Sequence, residues 1–349
     1  MKDELEELAV DLGKNRPDVE DILRRAEVFP QQREKFIRLL KGLAAREERD
    51  WLNRRIFQEF SGEYPSPPES YSTHKLTVGT TGAGKSMSAF LEACALVEKG
   101  AKLLVLDYQN HFTDLGLIYP EKVGVAWPDR LKINLLERYG NESPEEVAGS
   151  LAARAREDFY FRDMSENIFF EEAVGVMKKH ENATIYHLIK EISARLAKIN
   201  VRERSHGAMV TILNRLNRVI TELPHTFACS RGFPIEFFLD DKSVVFPLQG
   251  LQTYTSNFLV NHIISLVLRN KNPSDAAQIV FIIDECQNYI NRQREARMDL
   301  GEVFIYSALR VSRKLNIGFF LLSQTMSSFS AAILSNTNSL FVGKLLNGQ

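Results

Sequence analysis

Cysteine is scarce in this chain. Only Cys94, Cys229 and Cys286 occur in 349 residues. They lie far apart and fit neither a disulfide framework nor a zinc-site spacing, which excludes a cystine-stapled secreted scaffold and makes a reducing cytoplasm the simplest compartment. No apolar run approaches the roughly 18 residues of a membrane span. The start, Met1-Lys-Asp-Glu-Leu-Glu-Glu, is acidic and lacks the apolar stretch of a signal peptide. These absences predict a cytoplasmic protein that reaches a membrane, if at all, through partners. An excess of one charge is also missing, with 44 Lys and Arg against 45 Asp and Glu and a net charge of −1. That excludes a protein basic all over but leaves room for a local patch that holds nucleic acid. The seven histidines show no ligand spacing. His180-Glu181 is followed at position 184 by Thr184 rather than histidine, so the zinc-protease helix is absent.

What remains is an ordinary soluble composition, 44% hydrophobic and 26% charged, in a chain long enough for one large α/β domain and a small accessory one. Residues 1–62 read as a helical module, in which Phe36, Leu39, Leu40, Leu43, Trp51, Leu52, Ile56 and Phe60 recur at helical spacing. Pro65, Pro67 and Pro68 make residues 63–71 a linker, because proline removes backbone donors and fixes an extended path. From 72 to 349 short β-type runs alternate with helices. The candidate strands are Lys75–Val78, Lys102–Leu106, Ser243–Pro247, Gln278–Ile283, Ile317–Leu322 and Ser339–Val342. Several are apolar without alternation, the pattern of strands buried on both faces of a parallel sheet. A helical insert is expected over about 140–225. Ser143-Pro144-Glu145-Glu146 marks its first helix start, with Ser165, Thr184 and Ser205 as later candidate caps.

Three segments carry chemistry. Gly79-Thr80-Thr81-Gly82-Ala83-Gly84-Lys85-Ser86 has two glycines spaced for a phosphate-binding loop, followed by Lys and Ser. Glycines let several backbone N–H groups curl toward one phosphate. Lys85 then reaches the terminal phosphates, Ser86 offers a hydroxyl to Mg²⁺, and the helix begun by Lys85, Ser86 and Met87 aims its positive end at the anion. In Gln278-Ile-Val-Phe-Ile-Ile-Asp284-Glu285, an apolar strand ends in two acids. The first suits a magnesium site and the second suits polarisation of an attacking water. Alone, such a strand end is equally a buried strand entering a solvated turn. Ile317-Gly-Phe-Phe-Leu-Leu-Ser323-Gln324 is a third strand ending in polar residues, and a parallel sheet would bring Gln324 beside Asp284. Upstream lies Arg310-Val-Ser-Arg313-Lys314, which spacing alone reads as a solvated helix end.

These segments, with Arg313-Lys-Leu-Asn-Ile-Gly, Leu104-Val-Leu-Asp107, Gly232-Phe-Pro and Ala332-Ile-Leu-Ser-Asn336, resemble the HerA/FtsK superfamily over roughly residues 72–345. The resemblance implies a RecA-like P-loop core using ATP and Mg²⁺, assembled as a homo-oligomeric ring, commonly a hexamer, that translocates DNA. At matching positions it implies nucleotide contacts from Gly79 through Met87, with Lys85 and Ser86 as phosphate and magnesium ligands. It further implies Asp284 as the magnesium-site acid, Glu285 as catalytic base, Gln324 as sensor and Arg313 as a finger acting on a neighbour's nucleotide. Ser312 departs from the usual glycine before that arginine and Cys286 from the usual alanine. The Tyr-Gln-Asn-His stretch after Asp107 also departs from the pattern and receives no role. Arg202 and Arg204 in one basic stretch, and Arg292, Arg294 and Arg297 in another, are candidate DNA contacts. Each reads equally as a solvated face. Two alternatives stand beside the DNA motor. One is a secretion or conjugation ATPase docked to protein partners through residues 1–62, and the other is a nucleotide-controlled switch in a defence complex.

Overall fold

The computed structural model describes Leu23, Ile37 and residues 74–80, 84–240, 242–275, 277–290, 303–326, 329 and 331–343. The chain divides into two compact units, Met1–Pro67 and Pro68–Gln349. The expected helical module and linker lie almost wholly outside the described residues.

Among the described residues the second unit is built on seven strands: β1 (Lys75–Val78), β2 (Lys102–Asp107), β3 (Val123–Val125), β4 (Ser243–Pro247), β5 (Ile279–Ile283), β6 (Ile317–Ser323) and β7 (Ser339–Val342). They form one sheet in the order β3-β4-β2-β5-β6-β1-β7, and every pairing is parallel. Every residue of β2, β4, β5 and β6 is buried. That burial explains their unbroken apolar sequences: a strand covered by helices on both faces has no solvent side to mark with polar residues. Each expected strand is present to within a residue at each end. β3, three residues long, had no signal in the sequence.

Parallel strands require crossovers, and helices supply them. α1 (Lys85–Glu98) follows β1, and α2 (Leu115–Ile118) follows β2. Between β3 and β4 run α3 (Pro144–Phe159), α4 (Asp163–Lys179), α5 (Ile185–Leu196), α6 (Arg204–Glu222), α7 (Pro224–Phe227) and α8 (Ile235–Leu239). α9 (Thr253–Asn270) joins β4 toward β5, α10 (Phe304–Ser312) precedes β6, and α11 (Ala331–Asn336) precedes β7. Ser143 and Thr184 cap α3 and α5 through capping boxes with Glu146 and His187. Ser165 and Ser205 fall inside the first turns of α4 and α6, whose N-caps are Arg162 and Glu203. A first-turn serine resembles a cap in sequence, but Asp163 and Arg204 already hold helical backbone.

The insert is tied to the core by a buried polar chain. Asn261 of α9 donates to both carboxylate oxygens of Asp158 in α3, at 2.8 and 2.9 Å, and accepts from the Tyr289 hydroxyl beyond β5. Beside it, buried Arg154 donates to Ser150 and Ser265, both at 2.6 Å. Its guanidinium is brought down to about 9 by burial and by the neighbouring Arg269 charge.

Candidate functional site

Gly79, Asp107, Asp284 and Ser323 all lie at the C-terminal ends of adjacent strands, where a parallel sheet collects its loops. The Gly79 N–H donates to the Ser323 carbonyl at 3.1 Å, and the Asp284 N–H donates to the Leu106 carbonyl at 3.1 Å, so the loop stems are sewn together by backbone. Thr81, Gly82 and Ala83, the middle of the phosphate-loop sequence, lie outside the described residues. Gly84 caps α1 with φ of 78°. The space around its missing Cβ is open, so glycine is required there by backbone conformation rather than by crowding. Lys85 turns inward and is buried, Ser86 is half-buried, and Met87 projects into solvent.

Lys85 Nζ stands 3.9 Å from Asp284 Oδ1 and 3.6 Å from Glu285 Oε1, among side chains almost sealed from solvent. Asp284 is fully buried, and among the described residues neither of its carboxylate oxygens accepts a hydrogen bond. Its other near neighbour is His111 Nδ1, 3.7 Å from Oδ2. Burial pushes its carboxyl up to about 6 against the pull of Lys85, with Glu285 and Asp107 adding to the rise. Asp107 is raised for the same reason, burial. It accepts backbone N–H groups from Gln109, His111 and Phe112 at 3.2, 3.1 and 2.7 Å, which folds the loop after β2 over the acid pair.

Glu285 is held in a different way. Its backbone is left-handed, with φ of 48°, a conformation that costs a non-glycine residue roughly 1 kcal/mol or more. Three glutamine amides fix the side chain. Gln109 and Gln324 each donate to Oε1 at 2.7 Å, and Gln287 donates to Oε2. Gln287 Oε1 in turn accepts the Gln324 N–H at 3.3 Å. A pocket of about 460 Å³ opens beside them, lined among others by Tyr108, Gln109, Gln249, Glu285, Gln287 and Gln324. Neutral amides orient a carboxylate without neutralising it, an arrangement suited to a base that must keep its charge and its aim.

The structure brings Lys85, Asp284, Glu285 and Gln324 together, with Gln324, expected beside Asp284, bonded instead to Glu285. Gln109, His111 and Gln287 carry no periodicity that marks them; the signal available was their position two to four residues past a buried strand's terminal acid. Arg313 lies just before the N-terminal end of β6, the end opposite the site's loops, where it donates to the Asn336 carbonyl at 2.6 Å and to Asn338 Oδ1 at 3.0 Å. Arg202 and Arg204 are exposed at the start of α6. Arg292, Arg294 and Arg297 lie outside the described residues.

The donor set fits magnesium carried on a nucleotide. Asp284 offers two carboxylate oxygens without hydrogen bonds. Among the described residues no group of three or more His, Cys, Asp and Glu side chains could hold a metal by itself. A hard cation bound through one acid, the Ser86 hydroxyl and phosphate oxygens matches that composition.

Residues 68–267 match the family model of the central domain of helicase HerA. The match ends before β5, so the acid pair rests on the geometry above. Among curated proteins, a probable helicase, MJ1565, from Methanocaldococcus jannaschii is 22% identical over 290 residues, covering 79% of this chain and 53% of the relative. The chain thus spans about half the length of that relative. Among solved structures, VirB4 of Thermoanaerobacter pseudethanolicus superposes with a TM-score of 0.57 at 16% identity, covering 77% of this chain and 76% of that one. The plasmid coupling protein TrwB in complex with ADP and Mg²⁺ gives 0.57 at 15% identity, covering 79% and 71%. At these identities the likeness is one of fold, a RecA-like core.

Proposed function

This chain belongs to the HerA helicase central-domain family, and on that premise we propose that it is an ATP-hydrolysing motor that moves DNA. The observation that carries the proposal is Glu285, held by three amides beside a buried lysine and a buried acid with open lone pairs. Bound Mg²⁺ would supply charge neutralisation on the phosphate oxygens. In the chain itself, Lys85 leaves the acid pair to meet the phosphates, Ser86 and Asp284 hold the metal side, and Glu285 takes the proton of the attacking water. Gln324 and Gln109 link that base to β6 and β2, so the state of the nucleotide can be felt at two strands. Solved TrwB binds ADP with Mg²⁺ in a similar fold, which supports ATP and Mg²⁺ as the ligands here. The reading extends to a cytoplasmic homo-oligomeric ring, a hexamer, in which Arg313 of one subunit serves its neighbour's nucleotide.

The test is ATP turnover with and without double- and single-stranded DNA, alongside Glu285→Gln. Stimulation by DNA that vanishes in the variant supports a DNA motor. Turnover that ignores DNA favours the secretion or conjugation ATPase, to which the fold likeness to VirB4 and TrwB also points. In that case, deleting residues 1–62 should abolish partner-dependent turnover and leave basal turnover intact. Normal turnover by Glu285→Gln would remove the assignment of the base.

A further inference from the structure

α6 carries a polar stripe that the packing of the insert does not use. Met209, Ile212, Leu216, Val219 and Ile220 are buried. The opposite face presents Thr211, Asn214, Arg215, Arg218 and Glu222, spaced i, i+3, i+4, i+7 and i+11. This face lines a groove of about 830 Å³ whose other wall is Gly250, Gln252 and Tyr254, from the loop between β4 and α9 and the start of α9. Among the described residues neither Arg215 nor Arg218 has an acidic partner within ion-pair distance. The Arg218 guanidinium lies 5.8 Å from the centre of the Tyr254 ring. The one carboxylate among the described lining residues, Glu222, is already engaged, accepting from the Gln252 N–H at 2.5 Å and from the Thr255 hydroxyl at 2.5 Å. What faces the opening is therefore two arginines, two asparagines, hydroxyls and an aromatic ring. Cations and amide donors suit phosphate oxygens, and a ring beneath them suits a base or sugar. Arg204 extends the same stripe toward the helix start, about 21 Å from Arg218 along the axis.

The far wall of the groove is shared with the hydrolysis pocket. Gly250 lines both cavities, and Gln249, its neighbour, lines the pocket that contains Glu285. Gln249 Oε1 accepts from Asn110 Nδ2 at 2.7 Å, and Asn110 adjoins Gln109, whose amide holds Glu285.

We infer that the groove between α6 and residues 250–254 binds the phosphate backbone of a nucleic acid, and that Gln249 and Asn110 relay its occupancy to the base. This deepens the motor reading and rests on it. The test uses the full chain with fluorescein-labelled 30-nucleotide DNA, single- and double-stranded, read by anisotropy across a salt series beside ATP turnover. Arg215→Gln/Arg218→Gln should weaken binding at least ten-fold and lower the salt slope by about two, since each phosphate contact contributes roughly one. Arg215→Lys/Arg218→Lys should restore most of both, which separates lost charge from a damaged fold. Gln249→Ala should bind DNA as tightly as wild type yet lose DNA stimulation at saturating DNA. Wild-type affinity and slope in the Arg→Gln pair would overturn the groove and leave the motor standing. Retained stimulation in Gln249→Ala would overturn the relay. A wild-type protein that neither binds nor responds to DNA would overturn the motor reading, and the groove with it.

Discussion

Asp284 and Glu285 are adjacent in sequence and opposite in design. Asp284 is buried with open lone pairs, and its carboxyl lies near 6 rather than 3.8. An acid whose folded value is raised favours the folded state below its unfolded value and loses that contribution as pH rises through the folded one. At pH 7 the nucleotide-free protein therefore carries a penalty on the order of 3 kcal/mol at this one group. Asp284→Asn should raise the melting temperature of the nucleotide-free protein at pH 7.5, with the gain shrinking below pH 5. The same variant should lose Mg²⁺-dependent nucleotide binding, and wild-type Mg²⁺ binding should weaken as pH falls through about 6; a titration of Mg²⁺ at pH 5.5 and 7.5 checks both. Glu285 depends instead on amides. Removing one of three positioning bonds, as in Gln109→Ala, should cut kcat by roughly ten-fold with little change in KM, because the bond aims the base without holding substrate. An unchanged kcat would leave Gln109 no part in aiming it. Lys85→Ala should cost nucleotide affinity directly, read by displacement of a fluorescent ATP analogue.

His74, just before β1, docks that strand on α10. Its Nε2 bonds to the Leu309 carbonyl at 2.7 Å, and its ring meets Phe319 edge-on. Burial, with the Arg313 charge adding to it, lowers its value to about 4. A histidine depressed in this way stabilises the fold above its unfolded value near 6.5, and that stability is lost as pH falls toward the folded value. Unfolding free energy should fall by up to about 3 kcal/mol between pH 7 and 4, and His74→Gln should flatten that slope in urea titrations. Nothing in the sequence marked His74 as a strand anchor, since a lone histidine carries no pattern. The strands themselves were legible because burial on both faces leaves an unbroken apolar run, as in Val280–Ile283 and Phe319–Leu322. The helix starts at Ser143 and Thr184 were legible because a cap is a local matter of one oxygen and one N–H. The partners of Glu285 were not. Gln109 meets Glu285 only once β2 and β5 lie side by side, and that order is a property of the whole sheet, while Gln287, two residues from Glu285, carries no pattern that marks it.

The sheet also frames the question of assembly. Arg313 sits before the N-terminal end of β6, at the end of the strands opposite the nucleotide site, and is anchored within its own subunit to Asn336 and Asn338. If it also serves a neighbour's nucleotide, Arg313→Ala mixed with wild type should depress turnover more steeply than the fraction of variant. A linear decline would make the arginine a local anchor only. The sheet order has a further result, in time rather than space. β1 carries the phosphate loop near residue 80, yet its two neighbours are β6 and β7, with Lys75 opposite Phe320 on one side and Ser339 on the other. The strand made first in this unit waits for the strands made last. During synthesis the loop stays without its flanking strands until nearly all of the unit has left the ribosome, and closing so long a connection makes this a slow-forming sheet. Nucleotide binding should therefore appear late in synthesis and all at once. A nascent chain stalled before β6 should bind no ATP analogue, however much of its helical insert has already folded.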